Sequence, residues 1–208
     1  MRFNTKEAVA QLKRLAIKGN IVAVFDMDGV CVEFIDNETV NPDWSKKMLL
    51  PGYYRSLPPI EEGVHFLKET IQALGADSVY ICTKGPTEIS YQEKKEWIQE
   101  HVPEMKQENI LPVGMHESKA PALHNLLESR GIDPTVAILI DDYGRNLKEW
   151  YDEWISKGGS DMIPHPTLKV ANGYNFKGPR NQLCPVVFLR SPEKAAQAWA
   201  AATATEKF

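Results

Sequence analysis

Residues 21–30 read Ile-Val-Ala-Val-Phe-Asp-Met-Asp-Gly-Val, an apolar run that ends in two carboxylates one residue apart, then glycine. The β-branched residues suit a buried strand, and the glycine permits an abrupt exit from it. The run therefore predicts a central parallel strand delivering Asp26 and Asp28 to the carboxyl edge of a sheet, where open α/β folds bind their ligands. Two carboxylates held there repel each other unless a cation or a shared proton relieves them, which points to Mg²⁺. Alone, the segment also fits a strand ending in a polar turn whose aspartates accept loop amides. Motifs downstream decide between the two.

Working outward, further apolar runs at 78–82, 136–140 and 186–189, with a shorter one at 110–113, predict more strands. Helical spacing marks 61–74 (Val64, Leu67, Ile71, Leu74), 91–101 and 120–130, the last followed by Gly131 as a cap. Strands alternating with helices predict an α/β fold, a Rossmann-like parallel sheet with helices on both faces. At 208 residues the chain is expected to be one domain, residues 1–208. Residues 35–60 break the alternation with Trp44, Tyr53, Tyr54, Pro58 and Pro59, and a small cap or lid insertion is expected over 35–75. A helical hairpin packed on the core is the other reading. Residues 157–182, rich in Gly, Pro and Asn, are expected as surface loops, and 191–207 as a final helix.

The bulk properties remove whole classes of function. A net charge of −4 argues against long nucleic acids, whose backbone needs a basic face. No run is long enough to cross a bilayer, and the charged, amphipathic stretch 1–20 lacks the apolar core of a signal peptide, so a cytoplasmic protein is expected. The three cysteines form no C-x-x-C pair and are expected to be reduced and buried. Cys184 and Arg190 match the C-x₅-R spacing of cysteine-dependent phosphatases, but the bulky residues between them make a strand, not a phosphate loop. His116 and His124 lack partners at zinc-site spacing, and no P-loop occurs.

Three later motifs repeat the logic of the first. In Tyr80-Ile-Cys-Thr-Lys-Gly-Pro86 a strand ends at the hydroxyl of Thr83, which can serve an anionic oxygen or cap a turn. Lys94, in Glu93-Lys-Lys-Glu-Trp97, and Lys119, in Glu117-Ser-Lys-Ala-Pro121, compete as the cation for a bound phosphate. Ala137-Ile-Leu-Ile-Asp-Asp142 is another strand ending in acids, Asp141 and Asp142, with Arg145 and Asn146 behind them. The specificity lies in the order: Asp-x-Asp-Gly, Thr, Lys, Asp-Asp.

Together these motifs resemble the four motifs of the haloacid dehalogenase superfamily of phosphohydrolases, over roughly residues 20–150. Asp26 to Phe34, Pro51-Gly-Tyr-Tyr-Arg-Ser-Leu57 and Glu93-Lys-Lys-Glu-Trp97 look closest to its 5′(3′)-deoxyribonucleotidases. The resemblance implies a Mg²⁺-dependent phosphomonoesterase. Asp26 would be the nucleophile that forms an aspartyl-phosphate, and Asp28 the acid and then the base. Thr83 and either Lys94 or Lys119 would hold the phosphoryl group, with Asp26, Asp28, Asp141 and Asp142 around the metal. Phe34, Tyr54, Arg55 and Lys84 are the substrate-binding candidates; the aromatics can stack a base, at about 1–3 kcal/mol each, or fill the core of the lid. Lys84-Gly85 departs from the small residue and proline usual in that group. The expected partner is a small phosphorylated substrate, a nucleoside monophosphate first and a sugar phosphate second, with no membrane or long nucleic acid; a homodimer stays open. A phosphate-binding module without catalysis is the reading from another class.

Overall fold

The computed structural model of the chain describes residues 5–36, 41–159, 163, 166–171 and 184–186. Among the described residues six strands form one sheet: β1 (Val22–Phe25), β2 (Val79–Gly85), β3 (Ile110–Gly114), β4 (Ala137–Asp141), β5 (Thr167–Ala171) and β6 (Cys184–Val186). Their order is β3-β2-β1-β4-β5-β6; the first five run parallel and β6 pairs antiparallel with β5. The helices are α1 (Thr5–Lys18), α2 (Trp44–Lys47), α3 (Glu61–Leu74), α4 (Glu88–His101), α5 (Lys119–Ser129) and α6 (Gly144–Ser156). This is the expected α/β architecture with a Rossmann-like parallel core.

The two-residue period of the strands sorts their side chains between two apolar layers. Ala23 and Phe25 join the layer made by α1, α3 and α4, where Phe25 meets Phe66 edge-on at 5.0 Å. Val22 and Val24 join the layer made by α5 and α6 with Leu123, Leu127, Leu147 and Trp150. Burial on both sides explains why β1 and β4 read as continuous apolar runs rather than alternating ones. Cys31 and Cys82 are buried free thiols, and burial pushes both well above the ordinary thiol range.

The chain leaves β1 toward β2 on one side and leaves β4 toward β5 on the other. Between β1 and β4, therefore, the connections part and open a crevice at the carboxyl edge. In the register Phe25 stands beside Ile140, so Asp26 and Asp141 emerge there as neighbours.

Two expectations need correction. Residues 157–182 are not all surface loop: Thr167–Ala171 is β5, with Leu168 and Val170 fully buried. The antiparallel β6 starts at Cys184, ahead of the expected 186–189, whose last three residues lie outside the described ones, as do residues 191–207. The cap over 35–75 is not confirmed. Its second half is α3, which carries Val64, Phe66, Leu67 and Ile71 into the core beneath the sheet. Residues 41–60 return to the sheet edge, where Glu33 N donates to Pro58 O at 2.9 Å and Ile60 N to Cys31 O at 2.8 Å.

Candidate active site

The first motif folds as a tight loop. Asp26 N donates to Ile140 O at 2.8 Å, extending the β1–β4 pairing by one rung, and Cys31 N and Val32 N then converge on Met27 O. Gly29 closes the turn at φ 72°, a conformation that a side chain at that point would strain. Asp26 is consequently held almost out of solvent, while Asp28 keeps some exposure.

Both competing lysines reach this loop, from opposite faces of the sheet. Lys119 is the first residue of α5; Ser118 caps that helix by accepting from Ala120 N at 3.2 Å and donates to Glu149 at 2.7 Å. The Lys119 ammonium lies 2.7 Å from Asp26 Oδ1 and 2.8 Å from Asp141 Oδ2. Lys94 comes from α4, whose start is fixed by a reciprocal cap between Thr87 and Ser90. Gly85 allows that close approach: a Cβ there would stand 2.5 Å from Ser90 Oγ and 2.8 Å from the Tyr91 ring. The Lys94 ammonium pairs with Asp28 Oδ2 and donates to Thr83 Oγ1 at 2.9 Å and Lys84 O at 2.6 Å. A lysine has three N–H donors, so those of Lys94 are all used, whereas Lys119 keeps one.

The acids of the fourth motif complete the cluster. Asp141 is fully buried at the end of β4; its Oδ1 accepts Tyr143 N at 2.8 Å, and Asn146 Nδ2 bridges both its oxygens at 3.2 and 3.0 Å. Carboxylate oxygens of Asp26, Asp141 and Asp142 lie within 4.8 Å of one another. At an effective dielectric of about 20, charges at that separation repel by about 3.5 kcal/mol. Asp26 and Asp141 share the single Lys119 cation, which leaves one buried negative charge over. Burial, with the charges of Asp141 and Asp28 behind it, overrides Lys119 and pushes the Asp26 carboxyl up to about 7.

That donor set can hold a metal ion. The oxygens are hard ligands of the kind small divalent cations prefer. Asp26 Oδ1 already takes Lys119 and the amide of Met27 at 2.7 Å, leaving Oδ2 without a protein donor. Asn146 Oδ1 and Asp28 Oδ1 are buried with no hydrogen-bond partner among the described residues. Orphaned oxygens beside crowded acids are what a cation would satisfy.

An open cleft of about 300 Å³ covers the cluster, lined by Asp26, Asp28, Phe34, Lys84, Lys119, Asp142, Tyr143, Arg145 and Asn146 among others. Of the substrate-binding candidates, Phe34 and Lys84 are on its wall. Tyr54 is not: it is buried with its ring 4.5 Å from the Lys94 ammonium and stacked on Phe34 at 6.2 Å. Arg55 turns outward to pair with Glu96 at 2.8 Å. The aromatics thus chiefly pack on one another, with Phe34 also meeting Trp44 and Tyr53 edge-on. Glu93 anchors this group, its carboxylate accepting Gly52 N and, at 3.1 Å, Tyr54 N, while Trp97 Nε1 donates to Leu57 O at 2.9 Å.

Neither protein-family models nor curated protein sequences give a match to this chain. The site therefore rests on its geometry. Sequence reasoning undervalued three residues in it. Asn146 was legible as a polar residue in the first turn of a helix following Asp141, close enough to reach back. Tyr143, on the cleft wall, carried no signal beyond its place after the acids. Glu93 stood in the quoted Glu93–Trp97 stretch with no role of its own, yet it is buried.

Proposed function

We propose that this chain is a Mg²⁺-dependent phosphomonoesterase of the haloacid dehalogenase type, acting through an aspartyl-phosphate on Asp26. One observation carries the reading: Asp26 and Asp28 sit at the β1–β4 crevice, each held by a different buried lysine, with Asp141 beside them. A structural role gives no reason to spend two buried ammonium groups on one four-residue turn, because replacing buried ion pairs by apolar groups is often neutral or stabilising.

In the first step a carboxylate oxygen of Asp26 attacks the phosphorus. The Asp26–phosphorus bond forms as the ester P–O bond breaks, and Asp28 gives its proton to the departing alkoxide. In the second, Asp28 takes a proton from water, whose oxygen attacks phosphorus and frees Asp26 and inorganic phosphate. Lys119 and Met27 N fix Asp26 Oδ1, which leaves Oδ2 as the oxygen to attack. The remaining donor of Lys119 is available to the phosphoryl oxygens, which makes it, rather than Lys94, the phosphate-binding lysine. Lys94 instead ties Asp28 to Thr83 and fixes where the acid stands. Phosphoryl transfer depends mainly on such positioning and on charge neutralisation. Asp26, Asp28, Asp141 and Asp142 would hold the Mg²⁺, which supplies neutralising charge to the phosphoryl group.

For the substrate we propose a nucleoside monophosphate, because Phe34 and Tyr143 put two aromatic residues on the cleft wall, where a base could stack. No helix among the described residues is long and apolar enough to cross a membrane. The test is phosphate release with Mg²⁺ from deoxynucleoside and ribonucleoside monophosphates and common sugar phosphates. Preference for nucleotides supports the full reading; release from sugar phosphates alone keeps the mechanism and removes the substrate. No release from any of them, by folded protein, contradicts the enzyme.

A further inference from the structure

Lys84, Lys119 and Arg145 line the cleft, with Lys94 buried behind Asp28, and all but Lys84 have an anionic partner among the described residues. Lys94 is committed to Asp28, Lys119 to Asp26 and Asp141, and Arg145 to Glu149 at 2.9 Å. Lys84 differs. It lines the cleft and acts on the Glu149 carboxylate only through its charge; its ammonium makes no hydrogen bond or ion pair among the described residues. Its main chain is nevertheless firmly placed: it pairs with Val113 in the β2–β3 register, and its carbonyl accepts the Lys94 ammonium. A half-buried, unpaired cation on a rigid strand end, one residue beyond Thr83, is preorganised for an incoming anion.

We propose that Lys84 is the anchor for the substrate's phosphoryl oxygens, setting affinity where Lys119 and the acids set rate; this rests on the phosphomonoesterase reading. The charge count favours the assignment. A phosphate dianion entering the crevice meets two buried lysines whose charges the aspartates more than balance, so, beside the Mg²⁺ those acids would hold, Lys84 is the cation at the wall not already paired with a carboxylate. Loss of Lys84 then weakens the bound ground state and the transition state alike, which raises KM and leaves kcat nearly unchanged.

The experiment compares wild-type, Lys84→Gln and Lys84→Arg protein in two assays. One is steady-state hydrolysis of a nucleoside monophosphate with Mg²⁺; the other is calorimetric titration with inorganic phosphate in the presence of Mg²⁺. The expected result is that Lys84→Gln raises KM and the phosphate Kd by about tenfold, the scale of one charge-assisted hydrogen bond, with kcat within about twofold. Lys84→Arg restores most of both. Equal phosphate affinity in wild type and Lys84→Gln overturns the anchor while leaving the enzyme reading intact. Lys84-dependent phosphate binding without hydrolysis removes the enzyme reading and keeps the anchor. Absence of phosphate binding by the wild type removes the anchor.

Discussion

Lys94 and Lys119 are both buried, both beside an aspartate of the same turn, and pushed in opposite directions. For Lys94, burial prevails over its one close carboxylate and holds the ammonium below the ordinary lysine range. For Lys119, burial also acts downward, but Asp141 and Asp26 together outweigh it and raise the group above that range. One carboxylate does not secure a buried ammonium; two do. The contrast divides the site into a tightly charged half around Asp26 and Asp141 and a more weakly bound half around Asp28 and Thr83. Phosphoryl chemistry needs both: a fixed nucleophile, and an acid that can exchange protons.

The largest expected effect comes from removing the proposed nucleophile in the charged half. Asp26→Asn should cut phosphate release by about 10⁴-fold or more, as loss of a covalent nucleophile does. In metal-free protein the same change should raise the unfolding free energy at neutral pH by about 1–3 kcal/mol, because it removes a charge that burial disfavours. Denaturant melts in EDTA check the second half of that statement.

Next in size is Lys119→Met, which strands Asp26 and Asp141 with no cation. It should cost about 3–5 kcal/mol in EDTA, the usual cost of breaking a buried pair from one side, and Mg²⁺ should restore part of it. Lys94→Met should cost less, about 1–3 kcal/mol, since Asp28 retains a path to water. Mg²⁺ should rescue it less. If the two variants lose equal stability and respond equally to Mg²⁺, the division of the site into unequal halves is wrong.

The smallest effect concerns the segment that packs beside the weaker half. Glu93→Gln keeps the shape but weakens the grip on the amides of Gly52 and Tyr54, at about 1–2 kcal/mol. Hydrogen exchange at those two amides should speed up while the strands of the sheet stay protected. Unchanged exchange would mean that the aromatic cluster alone holds the segment.

Much of this was readable from the chain, because β1 and β4 are buried on both faces and end in acids. Their apolar runs could not be mistaken for amphipathic helices, and the order of motifs put Asp26, Asp28, Thr83 and Asp141 at one sheet edge. The choice between the lysines was not readable. Spacing along the chain cannot show that α4 and α5 approach one sheet edge from opposite faces, so that both lysines arrive. β5 was missed because Thr-Leu-Lys-Val-Ala is five residues long among prolines and glycines, and its pairing partner β4 is distant in sequence. Arg55 was a candidate because a guanidinium can pair with a substrate oxygen, but it turns outward to Glu96 while its neighbour Tyr54 is buried, a difference of rotation that the order of residues does not show.

The central claim, a covalent phosphoryl group on Asp26, can be tested directly by acid-quenching the working enzyme with a substrate labelled in its phosphate. Protein-bound label that is stable in acid, released by hydroxylamine and absent from Asp26→Asn is the expected result. Turnover that continues in Asp26→Asn, or proceeds in the wild type with no trapped label on Asp26 under single-turnover quenching, would contradict it.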